Sequence, residues 1–359
     1  MKHLELFAGI GGFRRAFDLL GADHIMTFDS VGYSEIDPNA VKTYIANYKP
    51  TSDEIALGDI VAFTEGHEKI ANLPDFELLT GGFPCQTFSM MGKKAGFNDE
   101  DRGQMFFRIL DVLLVKRPRY VLLENVKNLY THDKRRTYRR IEFELQNLGY
   151  NVISGIFNTV DFCLPQKRNR VLIFASLEPI PQNLGSCIDT CAVKETFDRI
   201  VGTSSLITAN STAEILKKEV NQKYFLSERI KPTILSDGSG NFKSNSEINQ
   251  EVARTLTASM HKMHRACQDN YYSQDYIDSK GKINPTKTKS KEELAKLPIR
   301  RLTPEEAFIL QGFPAQFAIN AQAEGVSDGA LYKQAGNAVS VNVIYAVMYY
   351  LISNNAIHE

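Results

Sequence analysis

The stretch Phe76-Glu77-Leu78-Leu79-Thr80-Gly81-Gly82-Phe83-Pro84-Cys85-Gln86-Thr87-Phe88-Ser89 joins an apolar run of strand length to two glycines and a single cysteine. The apolar run predicts a strand, and the glycines predict a sharp turn directly after it. Cys85 would then lie at the carboxyl end of a strand, which is where open α/β sheets carry their chemistry. A loop rich in backbone N–H groups favours a thiolate, so Cys85 is a candidate nucleophile, whereas an arbitrary cysteine is more often a small buried residue.

The composition is that of an ordinary globular protein, with 359 residues, 43% of them hydrophobic and 23% charged. This length predicts a large core together with a second unit. The 42 basic and 42 acidic side chains cancel, but residues 217–300 hold sixteen Lys and Arg against ten Asp and Glu and are locally basic. We find neither a signal peptide nor a membrane span, and the five cysteines indicate neither a disulfide framework nor a metal site. These features predict a cytoplasmic protein.

A second glycine turn precedes this stretch, near the start of the chain. Leu4-Glu5-Leu6-Phe7 alternates like a strand and stops at Ala8-Gly9-Ile10-Gly11-Gly12, after which apolar residues recur at helical spacing. Such a turn allows a ligand to approach the backbone closely, although a purely structural turn is the alternative. It is not a dinucleotide fingerprint, because Arg14 stands at the third glycine position, and this disfavours hydride transfer by a nicotinamide enzyme.

Acidic residues follow the next two predicted segments. Residues 27–37 predict a strand, and Glu35 lies 24 positions beyond Gly11, which suits a carboxylate that accepts hydrogen bonds from a ribose diol. Asp59 and Ile60 suit an adenine amino group and ring face, although Asp59 alone is more often an ordinary loop acid.

Two further polar sets lie downstream at predicted strand ends. Glu124 ends the apolar run 118–123, and a carboxyl group in such a position can be kept able to donate a proton near neutral pH. Arg168 and Arg170 lead into the strand 171–175, and the period of two points both side chains to one face. Two guanidinium groups there require an anion, a carboxylate or a ligand with carbonyl groups.

Taken in order, these motifs resemble those of the bacterial cytosine-C5 DNA methyltransferases of restriction–modification systems. The resemblance covers the chain except residues 179 to about 300, and its motifs are Phe7–Gly12, Pro84–Gln86, Glu124–Val126, Gln166–Arg170, Arg301–Thr303 with Leu310–Pro314, and Gly336–Asn337. It implies an α/β fold, with a Rossmann-like methyltransferase domain built on a mixed, mostly parallel sheet and a smaller, loop-rich target-recognition domain. The implied division is 1–178 for the catalytic domain, 179–327 for target recognition and hinge, and 328–359 for a segment that completes the catalytic domain.

The resemblance also implies roles for individual residues. S-adenosyl-L-methionine would be held by Phe7, Gly9, Ile10, Gly11, Glu35, Ile36, Asp59, Ile60, Asn337 and Val339. Cys85 would add to C6 of a flipped-out cytosine, Glu124 would meet N3, and Arg170 with Arg168 nearby would meet O2. The residues that would face DNA are Ser89, Lys93, Thr255 and Leu256.

The substrate implied by the resemblance is double-stranded DNA, modified by a monomer whose cognate restriction endonuclease would act separately. A tRNA cytosine-C5 methyltransferase on the same scaffold is an alternative, and the long variable stretch before Arg301 favours DNA over it. A non-catalytic DNA-binding relative is the other alternative, and the intact Cys85, Glu124 and Arg170 disfavour it. No motif indicates the target sequence.

Overall fold

The computed structural model describes residues 1–84, 105–237 and 246–358, which form two compact units. The first unit comprises Met1–Asn158, Asn169–Leu206 and Val343–Glu359, and the second comprises Thr159–Arg168 and Ile207–Asn342. These bounds differ from the predicted division at residues 178 and 327, because residues 159–168 and 328–342 join the second unit and residues 179–206 join the first.

A seven-stranded sheet organises the first unit, in the order β3-β2-β1-β4-β5-β7-β6. The first five strands in this order pair in parallel, whereas β7 runs antiparallel to both β5 and β6. The prediction of a mixed, mostly parallel sheet is therefore confirmed. The strands are β1 (Lys2–Leu6), β2 (Asp29–Tyr33), β3 (Ile55–Ala56), β4 (Leu78–Gly82), β5 (Tyr120–Val126), β6 (Asn151–Asn158) and β7 (Asn169–Ser176).

Helices connect these strands and supply the rest of the core. Their bounds are α1 (Gly12–Ala22), α2 (Pro38–Tyr48), α3 (Ile60–Thr64), α4 (His67–Ala71), α5 (Met105–Lys116), α6 (Lys127–Thr131), α7 (Arg136–Asn147) and α8 (Thr190–Ile200). The residues Phe106, Ile109, Val112 and Leu113 of α5 are buried at helical spacing. The run Tyr120–Leu123 of β5 is completely buried, as expected of a strand covered on both faces.

Two titratable side chains are buried on the first strand of this sheet. His3 contacts the hydroxyl of Thr80 at 2.7 Å, and burial together with the charge of Arg14 lowers the pKa of His3 to about 3. Burial raises the pKa of Glu5 to about 8, although Arg14 and the N–H groups of Phe13 and Arg14 act in the opposite direction. Between about pH 3 and 8 both side chains are therefore neutral inside the sheet.

The second unit contains short helices and one two-stranded antiparallel sheet. Its elements are α9 (Thr212–Ile215), α10 (Lys231–Leu235), β8 (Tyr271–Ser273), α11 (Gln274–Asp278), α12 (Lys291–Ala295), β9 (Ile299–Arg301), α13 (Pro304–Ile309), α14 (Ala315–Ala323) and α15 (Asp328–Asn337), and α16 (Val341–Ser353) begins there and continues in the first unit. Helix α13 begins with Thr303 as N-cap, Pro304 in the first turn and a capping box with Glu306.

A buried ion pair stabilises the second unit. Arg300 and Glu306 have fully buried side chains, and their two hydrogen bonds measure 2.8 and 2.9 Å. The Glu306 carboxylate also accepts the backbone N–H groups of Lys217 and Thr303, both at 2.7 Å. Four donors therefore satisfy this carboxylate, which is the condition under which a buried charge is tolerated.

One helical stretch among the described residues, Asp328–Ser353, is long and apolar enough to cross a membrane by length and composition alone. Of its most apolar window, 78% is buried inside the protein, as in a helix that belongs to a core.

The buried pair on β1 predicts a pH dependence of stability. Folded Glu5 keeps a proton that the unfolded chain releases near pH 4.5, so its contribution to the free energy of unfolding falls as the pH rises from about 4.5 to about 8. His3 contributes the opposite slope between about pH 3 and 6.5, because the unfolded chain takes up a proton there that folded His3 does not. Above about pH 6.5, therefore, Glu5 is the one of these two residues that still makes the free energy of unfolding depend on pH.

We therefore expect Glu5→Gln to become more stable relative to the wild type as the pH rises from 6.5 to 8.5. Urea-denaturation midpoints of both proteins at pH 6.5, 7.5 and 8.5 measure this difference. A difference between the two proteins that stays constant over this range would contradict the assignment of a neutral Glu5.

Candidate active site

The first part of the site is the turn between β1 and α1. Phe7 has φ of 56°, Gly9 of 56° and Gly11 of 78°, so three residues of the turn adopt the left-handed region. An aromatic residue is rarely found there, and such backbone outliers cluster at functional sites. A Cβ on Gly9 would meet no atom within 4 Å, so open space adjoins the backbone of the turn. The side chain of Ile10, in contrast, is buried.

Glu35 lies directly beside this turn. Its carboxylate accepts the N–H of Gly9 at 2.8 Å, of Ile36 at 2.9 Å and of Asp37 at 2.8 Å. The structure thus brings Glu35 and the glycine turn together, at the carboxyl ends of β2 and β1. A carboxylate has about four acceptor positions, so these three bonds leave capacity for a ligand hydroxyl.

An aromatic cluster supports the turn from below. The hydroxyl of Tyr48 donates to the carbonyl of Gly11 at 2.5 Å, and the guanidinium of Arg14 lies 4.8 Å from the centre of the Tyr48 ring. Arg14 also forms an ion pair with Glu54 and donates to the hydroxyl of Tyr44 at 3.1 Å. The residue at the third glycine position therefore packs behind the turn. Sequence reasoning missed Tyr48, because only the fold brings α2 against Gly11.

The other predicted cofactor contacts differ in their exposure. Ile36 is 71% exposed, so its apolar side chain is accessible next to Glu35. The side chain of Asp59 accepts the N–H of Val61 at 2.9 Å and caps α3. The structure buries Ile60 in the core of the first unit, so its side chain is not at the surface, contrary to the expected contact with an adenine ring.

Asn337 is exposed at the end of α15 and Val339 is half-buried after it. Both residues belong to the second unit, and their contact with a cofactor stays a prediction.

The second part of the site is formed where β4 and β5 end. Gly82 pairs in register with Glu124, and the chain continues from Gly82 through Phe83 and Pro84 to Cys85. The buried side chain of Asn125 donates to the carbonyl of Phe83 at 2.8 Å and fixes the start of this loop. Asn125 belongs to the motif Glu124–Val126, but the sequence does not indicate its role. Its partner lies 42 residues away, and only the fold brings the two together. The predicted residues Cys85, Ser89 and Lys93 lie outside the described residues.

Glu124 and Arg170 form an ion pair, with the Arg170 Nε atom 2.8 Å from a Glu124 oxygen. Their side chains are 11% and 14% exposed, so the pair is largely shielded from water yet still accessible. The antiparallel pairing of β5 with β7 causes this contact, because it sets Arg170 opposite Val126, two residues from Glu124. A shielded guanidinium of this kind orients a carboxylate and strengthens its electrostatic interactions.

Arg168 has different partners from those that its predicted catalytic role requires. Its guanidinium is buried and donates to the carbonyls of Leu256 at 3.2 Å, Gly336 at 3.1 Å and Ala338 at 2.7 Å. These partners all lie in the second unit, to which Arg168 itself belongs. The sequence predicted a ligand with carbonyl groups for Arg168, and the protein's own backbone carbonyls fill that place.

Thr255 and Leu256, which were predicted to face DNA, differ in how far they are exposed. Leu256 is 2% exposed, so its side chain is not available to DNA in this structure. Thr255 is half-buried, and its hydroxyl donates to the carbonyl of Lys167. Within the ranges 1–84, 105–237 and 246–358, no group of three or more His, Cys, Asp or Glu side chains could hold a metal ion.

The strand order, with its reversal between β1 and β4 and its antiparallel β7, defines a Rossmann-like α/β fold, and the glycine turn and Glu35 lie at the carboxyl ends of its strands. The chain belongs to the family of C-5 cytosine-specific DNA methylases, whose family model matches residues 1–353. Its substrate is therefore DNA, its reaction is methylation of cytosine at C5, and its cofactor is S-adenosylmethionine.

Similar proteins cover nearly the whole chain. The Type II methyltransferase M1.ScrFI of Lactococcus lactis subsp. cremoris is 37% identical over 350 residues, which are 96% of this chain and 76% of that protein. The Type II methyltransferase M.NlaX of Neisseria lactamica is 35% identical over 96% of this chain and 94% of its own. The solved structure of the S. pombe Dnmt2 methyltransferase superposes with a TM-score of 0.74 at 22% identity over 99% of this chain and 100% of that chain, which supports the fold.

The residues at the turn fit the cofactor on structural grounds. Open space adjoins Gly9, and a Cβ on Gly58, just before Asp59, would likewise meet no atom within 4 Å. The exposed Ile36 and the carboxylate of Glu35 supply an apolar and a polar contact next to Gly9. Backbone N–H groups, a carboxylate and an apolar side chain are the groups that an adenosine with a charged amino-acid tail requires.

We expect Tyr48→Phe to weaken binding of S-adenosylhomocysteine by about 2- to 10-fold, because the ring stays in place while the Gly11 carbonyl loses this hydrogen bond. Isothermal titration calorimetry measures the change. The control is Tyr44→Phe, which removes a hydroxyl that meets Arg14 rather than the turn and should bind as the wild type does. An equal loss in both variants would mean that the hydroxyl of Tyr48 does not support the turn.

Proposed function

We propose that this chain is the modification methyltransferase of a restriction–modification system, and that it methylates one cytosine within a short DNA sequence through a covalent bond from Cys85. The Glu124–Arg170 pair carries this proposal, because it lies in register with the end of β4, from which the chain continues to Cys85. The relatives M1.ScrFI and M.NlaX, which are Type II methyltransferases, support the restriction–modification setting.

The electronics of cytosine explain why a thiol and a carboxyl group are needed together. C5 belongs to an aromatic ring and is a poor nucleophile until a group adds to C6. The Cys85 thiolate forms a bond to C6, and the electron pair of the C5–C6 double bond moves through the ring. Negative charge would otherwise collect at N3, where Glu124 shares a proton. When bound, S-adenosylmethionine supplies the electrophilic methyl group that C5 accepts.

The second half of the reaction regenerates the enzyme. The C5 proton leaves to water, its electron pair restores the C5–C6 double bond, and the bond from C6 to the Cys85 sulfur breaks. The proton that Glu124 shared with N3 returns to the carboxyl group, and the products are 5-methylcytosine, S-adenosylhomocysteine and a free thiolate. Arg170 keeps Glu124 oriented throughout and faces O2 of the base, so that the carboxyl group meets N3 with fixed geometry.

Access to C6 requires base flipping. The C5–C6 edge is stacked inside a duplex, so the cytosine must leave the helix at a cost of a few kcal/mol. We assign Ser89 and Lys93 to phosphate contacts near the flipped base, and the second unit, with Thr255, to recognition of the target. The protein would act as a monomer at the nucleoid, with its endonuclease as a separate protein.

We expect Cys85→Ser to abolish turnover and to leave DNA binding within about 3-fold, because a serine hydroxyl is rarely ionised near neutral pH. Bisulfite sequencing of plasmid DNA from cells that express either protein measures the product, and methylcytosine should occur in one short sequence with the wild type only. Methylcytosine left by the variant would exclude Cys85 as nucleophile. Methylation of tRNA but not DNA by the wild type would favour the tRNA alternative.

We expect Glu124→Gln to slow the single-turnover rate by about 10²-fold or more, since an amide cannot share a proton with N3 in this way. Glu178→Gln is the matched control, because Glu178 forms a similar pair with Arg119 at 2.9 Å but is not part of the proposed site. The control should keep the wild-type rate. An unchanged rate in Glu124→Gln would place a different acid at N3.

A further inference from the structure

The buried guanidinium of Arg168 joins two stretches of the second unit that are far apart in sequence. Its three carbonyl partners are Leu256, in the stretch that contains Thr255, and Gly336 and Ala338, in the turn after α15. We call residues 253–258 the threonine segment and residues 336–338 the Gly336 turn. A guanidinium can serve both because it presents five donors in a rigid plane.

Other contacts hold the threonine segment equally firmly. Gln166 is completely buried, and its side chain accepts the N–H of Leu256 at 3.0 Å and donates to the carbonyl of Leu310 at 2.8 Å. The backbone of Ala253 exchanges hydrogen bonds with Pro165 and Lys167, at 2.8 and 2.9 Å. Residues 165–168 therefore fix the threonine segment along its length.

The Gly336 turn approaches the threonine segment so closely that residue 336 has no room for a side chain. A Cβ on Gly336 would overlap the backbone of Thr257 and Ala258. Gln311 adds a hydrogen bond of 2.6 Å from its side chain to the carbonyl of Ala335, on the helix side of the turn. Arg168 is the group that spans from the turn to Leu256, whereas Gln311 reaches only the end of α15.

We propose that Arg168 is a positioning residue, which holds the threonine segment in the conformation that meets DNA and takes no part in the chemical step. This proposal rests on the assignment of the second unit to target recognition. A segment that is rigid before it binds loses less conformational entropy on binding, so its affinity for DNA is higher. Arg168 thus acts on the affinity for DNA, and Arg170, two residues later, acts on the reaction.

The test compares Arg168→Lys with Arg170→Lys in two measurements, using the duplex that bisulfite sequencing identifies. A lysine keeps the charge but cannot reach carbonyls on two segments at once. Arg168→Lys should raise the Kd for the duplex about 10-fold or more while the single-turnover rate at saturating DNA stays within about 3-fold. Arg170→Lys should show the reverse pattern. A fall in rate for Arg168→Lys like that of Arg170→Lys, or an unchanged Kd, would overturn the proposal.

A control distinguishes positioning from a general loss of stability. Gln311→Met removes a buried hydrogen bond in the same region without touching the threonine segment, and its Kd for the duplex should stay within about 3-fold of the wild type. Thermal unfolding of all variants records the stability that each has lost. An equal rise in Kd for Gln311→Met would show that any damage to this region suffices, which would also overturn the proposal.

Amide hydrogen exchange of the wild type provides a test that needs no variant. The Leu256 N–H is bonded to Gln166 without DNA present, so it should exchange at least about 10²-fold more slowly than in an unstructured peptide. Exchange at the unstructured rate would mean that the segment is not preformed. The proposed function is tested separately, because it fails if the wild type leaves no methylcytosine, whereas positioning fails only in a protein that methylates.

Discussion

The first unit depends on one crossing of the chain. After β3, at the edge of the sheet, the chain returns to the middle and places β4 beside β1. The strands β1 to β3 are added toward one edge of the sheet, and β4 to β6 are added toward the other edge. The connections therefore diverge at the carboxyl ends of β1 and β4. The glycine turn of Gly9–Gly11 follows the first of these strands, and Phe83 and Pro84 follow the second. One crossing therefore gives the turn at Gly9–Gly11 and the segment that leads to Cys85 neighbouring starting points.

Two of the shielded Arg–carboxylate pairs, Arg300–Glu306 and Arg170–Glu124, differ in how completely they are closed off from water. Glu306 accepts four hydrogen bonds of 2.7–2.9 Å, and neither it nor Arg300 is exposed at all. Glu124 keeps 11% of its side chain accessible, and Arg170 keeps 14%. A carboxylate with all its acceptor positions filled has no reason to exchange protons, whereas one at the mouth of a sheet can meet a base. The incomplete closure of Glu124 is therefore compatible with the role proposed for it, whereas the closure of Glu306 is not.

Local patterns in the sequence were sufficient for features that depend on near neighbours. The strand, glycine turn and helix over residues 2–22 and the buried strand that carries Glu124 follow from spacing and composition. Arg168 could not be assigned in this way, because its partners lie 88 to 170 residues further along the chain. The side chains of Ile60 and Leu256 are buried, since packing in three dimensions rather than position after a strand decides which face is covered. Sequence therefore indicates strands and turns more reliably than the partners of each side chain.

The anchoring of the threonine segment has a consequence for how such enzymes diversify. Arg168 and Gln166 hold it through main-chain carbonyl and N–H groups, which every residue except proline provides in the same form. The side chains of the segment and its neighbours can therefore change without loss of these bonds, as long as the backbone follows the same path. Residues 165–168 can therefore hold a segment of different sequence without any change in themselves.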